Sequence, residues 1–405
     1  MNPRFRFSLL TVLACCIHLT AHADMAELMP LPSSPEQAIQ LPPGFRLGVF
    51  ARVPGAGQDY FRGPRFMAFG PDGHLYLSTG MDGQVLMLVD ADRDGRAEQV
   101  VTVAERLSAP QGLAFVGNRL LVATQDAVLE LKRNVRGEWP AAGVTQLIGG
   151  LATGGHTLKG LKLGPDGYLY LNIGSSCNVC IETDPTRATI ERYTTDGRPA
   201  GALATLGRHK PSATWARGLR NSQGFTWHPS SGAMYATNNG SDMRSATGGG
   251  PVDDDLPPEH LNRIEPGQHY GWPYCWGDQV PDPQFGDADF CKTTRAPEIT
   301  FDAHSTPIGI SFLDKTSFPE EYRTDAIVAL HGSWNRQQPS GYKLVRVKFR
   351  NNRPSEVVDF AVGWLQGKAA WGRPVDVVSG PDGALYVSDD RAGLIYRISY
   401  KEQQE

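Results

Sequence analysis

The sequence GPDGYLYLNIG, from Gly164 to Gly174, has two close copies elsewhere in this chain. They are GPDGHLYLSTG at Gly70–Gly80 and GPDGALYVSDD at Gly380–Asp390. Pro-Asp-Gly is typical of a tight turn, and the apolar residues that flank it are typical of β-strands. The chain therefore uses one kind of β-hairpin repeatedly.

Six such hairpins follow one another along the chain. Each has an apolar strand, a turn and a second apolar strand, and they begin at Pro64, Pro110, Leu158, Ser222, Pro307 and Pro374. They are spaced by about 45 to about 85 residues, and the lower value is typical of a propeller blade. We predict an all-β fold, a six-bladed β-propeller with four strands per blade, and a β-sandwich is the alternative.

The two ends of the repeat predict how the ring is closed. The last hairpin is followed by one more strand, GLIYRISY, and GFRLGVFARV at Gly44–Val53 can supply the missing fourth strand. Pairing these two strands would leave no open edge there. The propeller is thus predicted at 44–400, after a lead segment at 24–43 and before a tail at 401–405. A Gly-, Pro- and Asp-rich insertion at about 241–300 is predicted to form surface loops over one face.

The N-terminal segment is typical of an export signal. Arg4 and Arg6 precede an apolar run that ends at Ala21-His22-Ala23, a small-residue cleavage site. We predict a signal peptide at 1–23 and a periplasmic or secreted protein. Lipid attachment at Cys15 is an alternative, since Val12-Leu13-Ala14-Cys15 resembles a lipoprotein signal. No later segment is long and apolar enough to cross a bilayer.

Composition and cysteine spacing narrow the class of protein. With 40% hydrophobic residues and a net charge of −4, the chain is globular, and its lack of basic runs argues against nucleic acid as a partner. Four cysteines follow the signal, and we predict the disulfides Cys177–Cys180 and Cys275–Cys291. A four-cysteine zinc site is the rival interpretation, although the latter two cysteines are far apart. Haem attachment would require a histidine directly after Cys180.

A propeller brings residues from distant hairpins together. The first strand of each hairpin runs along the central channel and the second returns, so residues before the first and after the second share one end. The polar and aromatic residues at these positions are Gln111, His156, Arg217, Arg220, Asn221, Asn238, Asn239, Gly240, Asp242, His304, His331, Ser333, Trp334, Trp371, Arg373, Asp389 and Asp390. Such a convergence predicts a ligand pocket.

Each of these residues also has a structural interpretation. A lone histidine such as His156 is more often a simple hydrogen-bonding residue, and Arg220 can pair with a nearby acid. The asparagines and Gly240 can form turns, and the tryptophans can serve packing. Their convergence strongly favours a binding or catalytic role over the structural interpretation for His156, Arg220, Asn221 and Arg373. It favours such a role only slightly for the tryptophans.

At these residues the sequence resembles the glucose/sorbosone dehydrogenases, six-bladed propellers that use pyrroloquinoline quinone. The resemblance covers roughly residues 42–400 and is closest to the L-sorbosone dehydrogenase-like branch of exported bacterial proteins. Its most specific phrases are GLRNSQGF, LPPEHLNRI, HYGWPYCWGD, ALHGSWNRQQPSGYKLVRV and WGRPVDV.

The resemblance implies a role for each matching position. His156 matches the general base that takes a proton from a sugar hydroxyl, and Arg220 and Asn221 match the pair that contacts the quinone and its reacting carbonyl. Cofactor contacts are also implied for Gln111 and Arg373. The backbone carbonyls of Gly240 and Ser241 match ligands of a Ca²⁺ that bridges protein and quinone.

The chain departs from the glucose enzymes at three places. His331 and Trp371 stand where those enzymes have a cofactor-binding lysine and a second arginine, and Gly155 replaces the acid before the base. The resemblance implies an aldose or aldehyde-sugar dehydrogenase that passes electrons to an external acceptor such as a cytochrome c. A Ca²⁺-dependent sugar lactonase and a non-catalytic carbohydrate- or protein-binding propeller are the alternatives.

Overall fold

A computed structural model describes residues 26–53, 61–134, 136–139, 143–203 and 212–401. The predicted signal peptide, the lipid-attachment alternative at Cys15 and the tail after Lys401 lie outside these residues. The described chain is nearly all-β, with two α-helices of four residues each. The first elements are β1 Glu27–Leu28 and α1 Pro35–Ala38, which lie in the lead segment, followed by β2 Phe45–Arg52.

Most strands belong to six antiparallel sheets of four strands. Sheet 1 comprises β3 Met67–Phe69, β4 Leu75–Ser78, β5 Val85–Val89 and β6 Gln99–Ala104. Sheet 2 comprises β7 Leu113–Val116, β8 Arg119–Ala123, β9 Val128–Lys132 and β10 Gly143–Ile148. Sheet 3 comprises β11 Leu161–Leu163, β12 Leu169–Ile173, β13 Thr189–Tyr193 and β14 Thr214–Arg217. Each of the six predicted hairpins is present as two neighbouring strands of one of the six sheets.

The later half of the chain has the same plan with added elements. Its elements are β15 Phe225–Trp227, β16 Met234–Asn238, β17 Glu259–Ile264, β18 Cys275–Trp276, β19 Val280–Pro281, α2 Ala288–Cys291, β20 Ile299–Phe301, β21 Pro307–Phe312, a 3₁₀ turn Glu320–Tyr322, β22 Ala326–Leu330, β23 Lys343–Arg350, β24 Arg353–Ala361, β25 Leu365–Gln366, β26 Ala369–Ala370, β27 Pro374–Ser379, β28 Leu385–Asp389 and β29 Leu394–Tyr400. Sheet 4 is β15-β16-β17-β20, sheet 5 is β21-β22-β23-β24 and sheet 6 is β2-β29-β28-β27.

The insertion differs from its prediction. We expected residues 241–300 to form surface loops, but β17 and β20 are the third and fourth strands of sheet 4. The sequence EHLNRI of β17 has no clear alternation, because its polar residues His260 and Asn262 are buried. The loop expectation is therefore wrong for these two strands, and the chain between them forms the small hairpin β18–β19 and the helix α2.

A hydrogen bond explains why the phrase Pro-Asp-Gly-x-Leu-Tyr recurs. In three hairpins the tyrosine hydroxyl of the second strand donates to the turn aspartate: Tyr76 to Asp72 at 2.7 Å, Tyr170 to Asp166 at 2.9 Å and Tyr386 to Asp382 at 3.1 Å. The glycine after each aspartate has a positive φ of 78–82°, which favours glycine. The repeated phrase is thus a turn tied to its own strand.

Neighbouring sheets are joined by hydroxyl groups of their second strands. Ser78 of β4 donates to the carbonyl of Gln111 at 2.7 Å, and Thr237 of β16 donates to the carbonyl of Ile308 at 2.9 Å. From the last sheet to the first, Ser388 of β28 donates to the carbonyl of Arg65 at 2.6 Å. Strand β27 of sheet 6 also contacts β3 of sheet 1. These contacts are the arrangement expected of a β-propeller.

The first and last long strands pair as predicted. Strand β2 runs antiparallel to β29, with Phe45 opposite Tyr400 and Arg52 opposite Leu394. The aromatic rings of Phe45, Phe318 and Phe360 pack together beside this pair, in a core cluster that also includes residues of sheet 5. The N-terminal strand is therefore held by both backbone and side-chain contacts.

Both predicted disulfides are present, and they account for all four cysteines of the described residues. They join Cys177 to Cys180 and Cys275 to Cys291, so the zinc alternative is wrong. The disulfides are compatible with a location outside the reducing cytosol. Within the described residues, the helices are all too short and insufficiently apolar to cross a membrane.

Candidate active site

A cavity of about 590 Å³ lies where segments of several sheets meet. Its lining residues are Phe61, Arg65, Gly155, His156, Ser176, Cys177, Asn178, Arg220, Asn221, Gln223, Asn239, Gly240, Asp242, Met243, Glu259, Thr306, Ile308, His331 and Trp334. Most of them precede a first strand or follow a second strand, as the propeller geometry predicts. The volume is in the range of small-ligand sites.

His156 has a defined tautomer. Its Nδ1 lies 2.9 Å from the hydroxyl oxygen and 3.2 Å from the carbonyl oxygen of Ser175. A carbonyl can only accept, and the Ser175 hydroxyl already donates to the carbonyl of Cys177 at 2.7 Å, so Nδ1 carries the proton. Nε2 is then an unprotonated acceptor. Burial and the nearby Arg220 lower the pKa of His156 to about 3, so the ring is neutral at physiological pH.

Glycines allow this histidine to sit against its neighbours. Gly155 has φ +58°, and a Cβ there would lie 2.5 Å from the carbonyl oxygen of Ser175. A Cβ at Gly174 would lie 2.4 Å from the Cβ of His156. The departure from an acidic residue at Gly155 thus has a steric reason, because this close approach leaves no room for a side chain.

Arg220 is fixed by an aspartate and a loop. Its Nη2 donates to Asp242 Oδ2 at 2.8 Å and to Asn178 Oδ1 at 2.9 Å, and its Nε donates to the carbonyl of Asn178 at 3.0 Å. Burial would raise the pKa of Asp242, but His304 and Arg220 lower it. The carboxylate therefore stays ionised, and the guanidinium is held at the cavity wall in one orientation.

Two asparagine oxygens at the cavity have no hydrogen-bond partner in the protein. Asn221 Oδ1 and Asn239 Oδ1 are both buried and unpaired, and both residues line the cavity. An unpaired buried oxygen is costly, so these atoms suit a bound cation or hydrogen-bond donor. Gly240 also lines the cavity. Ser241 does not: it lines a much smaller neighbouring cavity.

A second group of basic side chains at the cavity is bound by one buried carboxylate. Asp390 accepts from Arg65 Nη1 at 2.7 Å, His331 Nε2 at 3.0 Å and Arg373 Nε at 3.0 Å. Burial opposes ionisation of Asp390, but Arg373, His331 and Arg65 keep its pKa far below the usual value. Burial lowers the pKa of His331 to about 4, so this histidine is neutral.

Some of the predicted site residues line the cavity and others do not. Of the predicted site residues, His156, Arg220, Asn221, His331 and Gly240 line the cavity, whereas Gln111, Arg373 and Ser241 do not. Gln111 lies behind the wall, where its Nε2 donates to Gln223 Oε1 at 2.6 Å. Trp371 is buried, stacks on Trp364 and does not line the cavity.

Of the cavity residues that had not been predicted, Arg65, Glu259 and Asn178 form hydrogen bonds with predicted residues. Arg65 lies just before β3, the first strand of sheet 1, and could have been found by the rule that identified Arg220. Glu259 lies in the insertion that was expected to form loops. Its Oε2 accepts from the Gly240 amide at 2.5 Å, and burial raises its pKa to about 7. Asn178 lies between the disulfide-bonded Cys177 and Cys180, and no sequence motif or spacing identified it as a site residue.

Comparison with known proteins assigns the family. A model of the TrAA12-like family matches residues 57–401. The chain belongs to the TrAA12-like family. An uncharacterized protein of Borreliella burgdorferi is 27% identical to this TrAA12-like chain over 380 residues, which are 90% of this chain and 91% of that protein.

Solved structures show the same fold as this TrAA12-like protein. An iodide structure of the Trichoderma reesei carbohydrate-active enzyme family AA12 superposes with a TM-score of 0.76 and 20% identity, covering 91% of this chain and 99% of that chain. The holo pyranose dehydrogenase PQQ domain from Coprinopsis cinerea gives a TM-score of 0.72 and 21% identity, covering 89% and 97%. At 20% and 21% identity, these two structures show that the chain shares their fold.

The sequence similarity to a pyrroloquinoline quinone-dependent enzyme of Coprinopsis cinerea is limited to part of each chain. The pyrroloquinoline quinone-dependent pyranose dehydrogenase is 31% identical over 147 residues, which are 31% of this chain and only 19% of that protein. The matched region is therefore a minor part of the fungal enzyme.

The cavity of this TrAA12-like protein fits a polyanionic cofactor and a hard cation. Arg65 and Arg220 are arginines at its wall, and a guanidinium can bind a carboxylate through two parallel hydrogen bonds. The unpaired amide oxygens of Asn221 and Asn239 and the nearby Gly240 are the type of oxygen ligands that Ca²⁺ prefers. Pyrroloquinoline quinone has three carboxylates, so it matches this set of groups.

Proposed function

We propose that the protein is an exported sugar dehydrogenase that uses pyrroloquinoline quinone and Ca²⁺. The observation that carries the proposal is that the neutral imidazole of His156 and the guanidinium of Arg220 line the same cavity. Both positions match the family's base and quinone contact. We also propose that the six sheets are six blades of one ring, closed by the pairing of β2 with β29.

His156 is the proposed general base. Its Nε2 takes the proton of the sugar hydroxyl, while the hydrogen on the same carbon leaves with its electron pair as hydride, so that a C–OH becomes C=O. Nδ1 donates to Ser175 throughout and holds the ring in the required orientation. When bound, the quinone with its Ca²⁺ supplies the hydride acceptor and the Lewis acid that makes this acceptor more reactive.

Arg220 and Asn221 are proposed to contact the cofactor at its reacting side. The cation of Arg220 stabilises negative charge that develops there, and Asp242 holds it in place. Arg65, which the sequence prediction had overlooked, is proposed to replace the cofactor-binding lysine of the glucose enzymes, with His331 as a neutral donor beside it. Gln111 and Arg373 support this wall from behind through Gln223 and Asp390.

The metal is proposed to lie near Gly240. The backbone carbonyls of Gly240 and Ser241 are the ligands that the family resemblance suggests, and the amide oxygens of Asn221 and Asn239 extend this set. Removal of Ca²⁺ with a chelator is expected to abolish sugar oxidation. Readdition of Ca²⁺ is expected to restore it, whereas Na⁺ at equal ionic strength is not.

The proposal is tested with purified protein, the quinone, Ca²⁺ and a panel of aldoses and aldehyde sugars. Reduction of an artificial electron acceptor is followed, and His156→Ala is the matched control. Wild type is expected to turn over at least one sugar, and His156→Ala to be slower by about a hundredfold to ten-thousandfold. Lactone hydrolysis without quinone would instead favour a hydrolase, and binding of sugar without any turnover would favour a binding protein.

The location and the electron acceptor are proposed from the sequence and chemistry. The predicted signal at residues 1–23 would direct the chain to the periplasm or medium, where its two disulfides would persist. The reduced cofactor must be reoxidised by an external acceptor, for which a cytochrome c is a candidate. Fractionation of the producing cells and detection of the mature N-terminus test the location.

A further inference from the structure

A four-residue loop that is closed by a disulfide reaches the cavity. Its residues are Cys177, Asn178, Val179 and Cys180, and it follows the second strand of sheet 3. Cys177 and Asn178 line the cavity, and all four residues are partly exposed. The loop lies outside the phrases that carry the family resemblance, so its contribution to the site comes from the structure alone.

Asn178 makes five hydrogen bonds, of which two join it to Arg220, two join it to Asp242 and one joins it to Trp272. Its backbone carbonyl accepts from Arg220 Nε at 3.0 Å and from Trp272 Nε1 at 3.2 Å. Its Oδ1 accepts from Arg220 Nη2 at 2.9 Å and from the Asp242 amide at 2.7 Å. Its Nδ2 donates to the Asp242 carbonyl at 2.8 Å. The side chain is thus bonded to both members of the Arg220–Asp242 ion pair.

The same segment also holds His156. Ser175 accepts from His156 Nδ1 and donates to the carbonyl of Cys177, which is the first residue of the loop. One short stretch of backbone therefore contacts the imidazole at one end and the guanidinium at the other. The disulfide limits the conformations that this stretch can adopt.

We propose that Asn178 is a positioning residue for Arg220, and that the Cys177–Cys180 loop fixes the placement of Arg220 relative to His156. This inference rests on the proposed function, because it assigns to Arg220 the cofactor contact described above. A flexible arginine loses side-chain entropy when it is held in one geometry, and this loss is a cost in free energy. The two acceptors of Asn178 and the carboxylate of Asp242 hold it before the cofactor binds, so less of this cost falls on binding.

The chemistry of the amide explains the choice of residue. An asparagine presents an acceptor to Arg220 and the Asp242 amide, and a donor to the Asp242 carbonyl. An aspartate of the same length keeps the acceptor but loses the donor, and it adds a negative charge beside Asp242. An alanine keeps only the backbone acceptor. The expected order of cofactor affinity is therefore asparagine, then aspartate, then alanine.

The experiment compares Asn178→Ala, Asn178→Asp and the double variant Cys177→Ser/Cys180→Ser with wild type. Val179→Ala is the matched control, because it changes the same loop but keeps the disulfide and the amide. Pyrroloquinoline quinone is titrated by absorbance at saturating Ca²⁺, kcat and KM for a sugar are measured, and quinone-free crystal structures of wild type and variants are determined.

Asn178→Ala is expected to bind the quinone about ten- to a hundredfold more weakly, the usual effect of losing a hydrogen bond to a charged group. Asn178→Asp is expected to lie between wild type and alanine, and the double serine variant to change in the same direction. The KM for sugar at saturating quinone is expected to change less than the quinone affinity. The control is expected to stay within about twofold of wild type, the usual scale for surface changes.

Unchanged quinone affinity in Asn178→Ala, with Arg220 in its original position, overturns the proposal. If Asn178→Ala does not fold, the same criterion is applied to Asn178→Asp. If wild type itself binds no quinone, the proposed function fails, and the quinone-free structures decide the positioning role separately. Displacement of the Arg220 guanidinium from Asp242 in the variant supports the role, and an unmoved guanidinium refutes it.

Discussion

The neutral state of His156 can be measured without any cofactor. Burial, followed by the positive charge of Arg220, lowers its pKa to about 3 from an ordinary value of 6.5. A lowered histidine pKa means that the base is active at every pH above the lowered value, and that activity is lost only as the pH falls through about 3. At pH 5 an ordinary histidine would be about 3% neutral, whereas this one would be almost entirely neutral.

The direct assay is an NMR titration of the imidazole resonances in the cofactor-free protein, with His156→Ala to assign the signal. The His156 resonance is expected not to shift between pH 8 and pH 5. In the enzyme with bound quinone and Ca²⁺, protonation of His156 is then expected to cause no loss of kcat/KM between pH 8 and pH 5. With a base of pKa 6.5, kcat/KM would fall about thirtyfold over the same range.

Glu259 must be separated from this effect. It lines the same cavity, and its pKa is raised to about 7 by burial, so it titrates in the neutral range. Glu259→Gln removes that titration and leaves His156 in place. A His156 resonance that titrates with a midpoint near 6.5 in both wild type and Glu259→Gln would refute the reasoning, because burial and Arg220 would then not control the ring.

Three further changes test the framework of the site. Asp390→Asn leaves two arginines without their carboxylate and is expected to reduce the free energy of unfolding by about 3–5 kcal/mol in urea titrations. Lys159 is buried and donates to three backbone carbonyls. Lys159→Met is expected to lower the free energy of unfolding by at least about 3 kcal/mol, because those carbonyls lose their donor. The control Lys132→Met, at an exposed position, is expected to change the free energy of unfolding by less than about 0.5 kcal/mol. Gly155→Ala places a Cβ against the Ser175 carbonyl at a residue with positive φ, and it is expected to lower the free energy of unfolding by about 1–3 kcal/mol. A thermal denaturation midpoint equal to that of wild type would contradict the steric argument.

The hairpins could be predicted because their signals are local. The turn Asp166-Gly167 and the apolar residues that flank it lie within a few positions of one another, so one short phrase contains the whole unit. The convergence of His156 and Arg220 at one cavity then follows from the geometry of repeated hairpins. Neither inference needed a side-chain contact between distant residues.

The overlooked parts depend on long-range contacts. The polar residues of β17 face the interior, where His260 Nε2 accepts from the Gly277 amide at 3.0 Å, so the alternation that marks a strand is absent. Asn178 is important through its bonds to Arg220 and Asp242, which are far away in the sequence. Arg373 was predicted to contact the cofactor; its Nε bonds to Asp390, and it is not among the residues that line the cavity. A sequence pattern does not state which of two nearby arginines reaches the cavity.

The pairing of β2 with β29 affects the order of assembly. During synthesis, Phe45–Arg52 emerges more than 300 residues before its partner Leu394–Tyr400. Sheet 6 therefore cannot be completed until β29 has been made, and an unpaired apolar strand is prone to associate with other chains in the meantime. Loss of β29 would leave β2 without its partner, so a deletion at one place in the sequence would destabilise a strand that lies far from it in the sequence.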